Sequence, residues 1–166
     1  NFKSDYKIKD KVIFINSLNF FLFKKSISIL DLKKKSKSFH SRYDAKKRCY
    51  TYVITNRNAP SVLKIKRTWH IKKRLDINEM KKGAQALKKI KDFSTFRASS
   101  CSAKSPIKTL ERVTIIKKKN IIKICFVSKS FLQNQVRSMV GCLKYLAEKK
   151  WNLKKFKKII NSRQRS

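Results

Sequence analysis

A chain of 166 residues, 41% hydrophobic with 11 Phe, 5 Tyr and 2 Trp, has the length of about one domain and the means to fill a core, which excludes a disordered basic tail. Its net charge of +36 makes polyanions, nucleic acid first among them, the natural ligands. Of the 45 basic residues 35 are lysine, spread throughout, so compositional drift accounts for a large share of the charge, which speaks for nucleic acid in general and names no site.

The first residues, NFKSD, head toward a strand, and Asn1 is not methionine; Ser166 follows directly on a helical stretch. Both ends therefore suggest a piece of a longer protein, because a missing strand would leave a sheet edge unpaired. Val12 to Phe23 follows basic residues like a signal-peptide core, but it holds Asn16, Ser17 and Asn19 and runs into Lys24 and Lys25 without a small-residue cleavage site. It is also too short to span a bilayer, and is expected to form a core strand and a short helix.

FHSRYDAKKRCYTY, Phe39 to Tyr52, interleaves Arg42, Lys46, Lys47 and Arg48 with Phe39, Tyr43, Tyr50 and Tyr52. Basic groups hold phosphates while an aromatic face stacks on an unpaired base, a contact worth about 1–3 kcal/mol. The other reading is an ordinary strand with core tyrosines and solvated lysines. Arg48 to Asn56 alternates as a strand does, with Tyr50, Tyr52 and Ile54 on one face.

Asp76 to Ile90 is the clearest helix, since Ile77, Met80, Ala84, Leu87 and Ile90 recur at helical spacing behind a capping-box pattern of Asp76 and Glu79. DFSTFRASSCSAKSP, Asp92 to Pro106, sets Arg97 beside a loop of small hydroxyl residues, Ala98 to Pro106, with Lys104 and Lys108 following. Such a loop either brings guanidinium and backbone against a phosphate or ribose, or is a plain connection. Ile107 to Lys117 and Ile121 to Ser128, joined by Lys-Lys-Asn, read as a hairpin. Leu132, Val136, Met139, Val140, Leu143 and Leu146 then make the stripe of a second helix, and Leu153, Phe156 and Ile160 that of a third. Strands, helix, hairpin and helix in that order predict one α+β domain over 1–166 with an antiparallel sheet.

From Ser130 through Leu143 the only charged residue is Arg137, beside Val136 on a stripe that otherwise packs. Its guanidinium must either snorkel to water or meet an acceptor near the buried face. If buried it needs a carboxylate, because an unpaired buried charge costs several kcal/mol, and bidentate pairing would explain arginine in a chain that elsewhere chooses lysine. Cys49, Cys101, Cys125 and Cys142 form no CxxC pair, and His40 and His70 are isolated, so a reduced, metal-free cytoplasmic protein is expected.

Four segments, FHSRYDAKKRCYTYVI, the helix with DFSTFRA, CSAKSPIKTL and FLQNQVRSMVG, stand in the order and spacing of the tRNA pseudouridine synthase A family, which the chain resembles over nearly its whole length. The resemblance implies the pseudouridine synthase fold, an antiparallel or mixed sheet flanked by helices, here incomplete. It implies that Tyr50 stacks on the target uracil and serves a proton step after isomerisation, and that Arg137 pairs with the catalytic aspartate. It further implies that Arg42, Arg48, Arg97 and Lys104 line an RNA-binding cleft. The substrate would be the anticodon arm of tRNA, bound by a homodimer with no metal, organic cofactor or membrane involved.

The family's nucleophilic aspartate lies in a Gly-Arg-Thr-Asp-Ala-Gly motif that does not occur here. NFKSD resembles the strand just after it, and Asp44 and Asp92, though within matched segments, stand where the family does not use a nucleophile. The chain alone is therefore expected to be inactive, since a covalent nucleophile must be placed within about an ångström of its target. A non-catalytic basic RNA-binding module and a basic ribosomal protein are the competing readings.

Overall fold

In the computed structural model, which describes residues 2–4 and 7–164, the alternating stretch is strand β1, Arg48–Asn56. It pairs antiparallel with β4, Ile121–Ser128, and parallel with the short β2, Trp69–Ile71. Strand β3, Leu110–Lys118, closes the other side of β4, giving the order β2-β1-β4-β3. The sheet is thus mixed, one of the two forms the family resemblance implied; the order of elements alone suggested an antiparallel one, because the three residues of β2 lie in a lysine-rich stretch with no strand signal. Lys119 and Asn120 make the β3–β4 turn, Lys119 in the left-handed region at φ 51°.

Residues alternate in facing. Tyr52 and Ile54 of β1, Val113 and Ile115 of β3, and Ile122, Ile124 and Phe126 of β4 point into the core. There they meet three helices: α2 (Ile77–Lys89), α3 (Gln135–Ala147) and α4 (Leu153–Ile160). The predicted stripe Leu132, Val136, Met139, Val140, Leu143 and Leu146 is buried throughout, as are Phe156 and Ile160. Asp76 caps α2 by accepting from the N–H groups of Asn78 and Glu79 at 3.0 and 3.1 Å. The reciprocal half of the capping box is not made. Glu79 instead pairs with Lys82 at 2.6 Å, and the Asp76 N–H donates to the Ala147 carbonyl at 3.0 Å, fastening the start of α2 to the end of α3.

The chain divides into two compact units, Asn1–Ala45 and Lys46–Ser166; the sheet and α2 to α4 belong to the second. In the first, the stretch expected as a core strand plus short helix is helix α1, Lys11–Leu22, with none of its residues buried. Asp10 caps it by accepting from the Ile13 N–H at 2.8 Å, and the Ser17 hydroxyl bonds back to the Ile13 carbonyl at 2.9 Å. Those polar residues serve the helix as cap and back-bond rather than interrupting a strand. Residues 2–4 form no strand; Asn1 and Asp5 of NFKSD, and Ser166, lie outside the described residues. No helix among the described residues is long and apolar enough to cross a membrane, and none of them gather as a group of three or more His, Cys, Asp or Glu able to hold a metal.

Candidate functional site

The sheet places Tyr50 opposite Phe126, near the end of β1 that Arg48 begins. Its ring is 49% exposed and meets the edge of Phe131, with centroids 5.2 Å apart at 86°. That contact supports one side of the phenol while leaving the rest open, the disposition a stacking platform requires. Phe131 heads the FLQNQVRSMVG segment, so one aromatic pair joins two of the singled-out stretches. Sequence reasoning passed Phe131 over, because a contact between segments far apart in the chain leaves no periodic trace.

The connection from β4 to α3 is pinned at nearly every residue. Arg48 Nη1 donates to the Lys129 carbonyl at 2.6 Å. The Ser128 hydroxyl, buried, lies 2.8 and 2.7 Å from the carbonyls of Thr109 and Ser130, and its one proton serves either. Gln135, fully buried, accepts the Leu132 N–H at 2.8 Å through Oε1. Asn134 turns the chain in the left-handed region at φ 60°.

Arg137 follows in the first turn of α3, exposed, and among the described residues no carboxylate pairs with it. This helix start has no side-chain cap and no acidic residue in its first turn. A guanidinium there adds to the positive end of the helix dipole, which by itself disfavours a cation by about 0.3–1 kcal/mol. A helix start without a side-chain cap and an exposed cation beside it together favour an anion.

Arg97 lies beside the predicted loop and holds it: Nη2 donates to the carbonyls of Cys101 and Ala103 at 3.3 and 2.6 Å. Buried Cys101 joins this loop to the β4–α3 connection, since the backbone N–H groups of Ala103 and Gln133, with help from Arg97, hold its thiol below the ordinary range. Lys104 is exposed on the same loop. Tyr50, Arg48, Arg97, Lys104 and Arg137 therefore all belong to the second unit, and the first four residues' segments converge on the approach to α3. Arg42 belongs to the first unit, exposed, with its guanidinium 5.9 Å from the Tyr43 ring centre and Tyr43 itself against His40 at 4.3 Å.

Comparison with known proteins accords with these segments. A family model described as tRNA pseudouridine synthase matches residues 84–166. The chain is 55% identical over 163 residues to a tRNA pseudouridine synthase A of Pelagibacter ubique (strain HTCC1062), covering 98% of this chain and 65% of that protein. It is 42% identical over 139 residues to the protein of that name from Anaplasma phagocytophilum (strain HZ), covering 84% and 54%. With that of Caulobacter sp. (strain K31) it shares 38% over 152 residues, covering 92% and 61%. The chain thus spans 54% to 65% of the length of these curated relatives.

Proposed function

The chain belongs to the tRNA pseudouridine synthase family, and from that premise we propose that residues 1–166 form part of one catalytic domain that isomerises uridine to pseudouridine in the anticodon arm of tRNA. The working protein is a cytoplasmic homodimer in this reading. The N-glycosidic bond breaks, the base turns, and a ring carbon takes the place of the nitrogen at the sugar. Atoms and electrons are conserved, so the reaction calls for a nucleophile and proton transfers rather than a redox cofactor.

Tyr50 stacks on the uracil and its hydroxyl serves the proton step after the base has turned. Arg137 holds a catalytic carboxylate ionised and oriented through paired N–H donors, which lysine's single ammonium reproduces poorly. Among the described residues no carboxylate pairs with Arg137. Arg42 and Lys104 meet RNA phosphates from exposed positions; Arg48 and Arg97 do so while holding the Lys129 and Cys101–Ala103 carbonyls. The observation that carries the proposal is the exposed Arg137 at an uncapped helix start, tied through Phe131 to a half-open tyrosine.

The test joins this chain to the part of the Pelagibacter ubique relative that it does not cover. Pseudouridine is then measured by mass spectrometry of digested tRNA. The joined protein is expected to form pseudouridine, and the 166-residue chain alone none. Arg137→Lys in the joined protein should lower the rate by about 10²-fold while tRNA affinity changes little. A folded joined protein that binds tRNA but leaves every uridine unchanged would favour the non-catalytic RNA-binding module. Full activity in Arg137→Lys would remove the assigned role.

A further inference from the structure

Helices α2 to α4 pack on one face of the sheet, and the alternate residues of each strand form the opposite face. Cys49, Thr51 and Val53 of β1 lie on it, beside Lys123, Cys125 and Val127 of β4. Cys49 is opposite Val127 and Thr51 opposite Cys125, so the two cysteines are diagonal neighbours on the same face. Their sulfurs are 2.9 Å apart. A disulfide needs about 2.05 Å between its sulfurs. In sequence the two thiols stand 76 residues apart, and no spacing rule connects them.

We propose that Cys49 and Cys125 are a modification site, a cross-strand dithiol that a hydroperoxide closes to a disulfide. One sulfur, as thiolate, attacks the peroxide: an S–O bond forms, the O–O bond breaks, and the departing oxygen takes a proton to leave as water or alcohol. The second sulfur displaces the hydroxyl of that sulfenic acid. The S–S bond forms, the S–O bond breaks, and the hydroxyl leaves as water with the second thiol proton. The two sulfurs lose two electrons and the peroxide gains them.

Access and chemistry single out this pair. Cys49 is exposed and Cys125 half-buried, so reagent reaches them. Their mutual hydrogen bond, with burial, holds the Cys49 thiol above its ordinary range, and the Arg112 cation offsets part of that rise. Cys101 is buried and occupied by the N–H groups of Ala103 and Gln133. Cys142 is pushed up to about 11 by burial and stays protonated. Tyr50 adjoins Cys49 on β1, so the crosslink would fasten β4 to the strand that carries it.

The reduced 166-residue chain, dilute and treated with hydrogen peroxide, is digested with trypsin without reduction and mapped by mass spectrometry. The expected product joins the peptides CYTYVITNR and ICFVSK, two hydrogens lighter than their sum, while titratable thiols fall from four to two. Cys49→Ser and, independently, Cys125→Ser should each abolish that peptide and leave Cys101 and Cys142 as thiols. The proposal is overturned if the wild-type peptides are recovered separately, whether unmodified or as sulfinic acids, or if the crosslinks join one molecule to another.

Discussion

Arg137 and Asp76 illustrate how much one side chain's neighbours decide. Arg137 stands where the helix dipole is against it and no acidic residue in the first turn offsets that, so its presence argues for an anion from elsewhere. Asp76 caps the start of α2 with the favourable sign. The N–H of Glu79 first, then that of Asn78, with the Lys149 cation, holds its carboxyl below the usual carboxylate range. A carboxylate depressed in the folded state stabilises the fold above the ordinary carboxylate pKa of about 3.9, and that contribution disappears as pH falls through the folded value. Asp76→Asn keeps an N-cap acceptor without a titrating group. Thermal melts from pH 7 down to about pH 2 should therefore show a shallower acid loss in the variant than in the parent, and parallel curves would refute the assignment.

The helices differ in what their glycines permit. A Cβ added to Gly83 on α2 would lie 2.6 Å from Leu146 Cδ2, 2.8 Å from Leu143 Cδ2 and 3.3 Å from Phe156 Cζ. All three neighbours are almost fully buried, so they cannot move aside independently. Overpacking of this kind costs about 1–3 kcal/mol, against about 1 kcal/mol gained from replacing glycine in a helix, so the clash wins. Gly141 on α3 has nothing within 4 Å of the same position. Gly83→Ala should lower the urea midpoint, and Gly141→Ala should raise stability by about 0.5–1 kcal/mol. Equal shifts of the same sign would contradict the packing described. Nothing in the sequence separates the two glycines, because each follows a lysine or valine in an otherwise regular helical pattern; the distinction arises from which helix faces which. Helix α1 is the opposite case, where a run of apolar residues suggested a core strand and a short helix but formed a helix with Phe20 and Phe21 exposed.

For the whole molecule, charge is the dominant long-range property. With a net charge of +36, RNA binding should weaken steeply with salt, log K falling by about 0.7 per neutralised phosphate on single-stranded segments and about 0.9 on duplex ones. Filter binding of tRNA across a tenfold range of salt reads the slope directly. A slope near zero would mean that apolar stacking, rather than phosphate contact, holds the RNA.

Local preference and periodicity were enough to mark β1, the β3–β4 hairpin, the three core helices and the Asp76 cap, because those elements depend on neighbours three or four residues away or on a turn of two. The segments carrying Tyr50, Arg97 and Arg137 were legible for the same reason, each having an unusual local composition. Pairing was not legible. The parallel β2, the Tyr50–Phe131 contact, the Arg48 bond to Lys129 and the approach of Cys49 to Cys125 join residues far apart in the chain. Such contacts exist only once the core has closed and set the strand register, and register is a property of the assembled sheet rather than of any stretch within it.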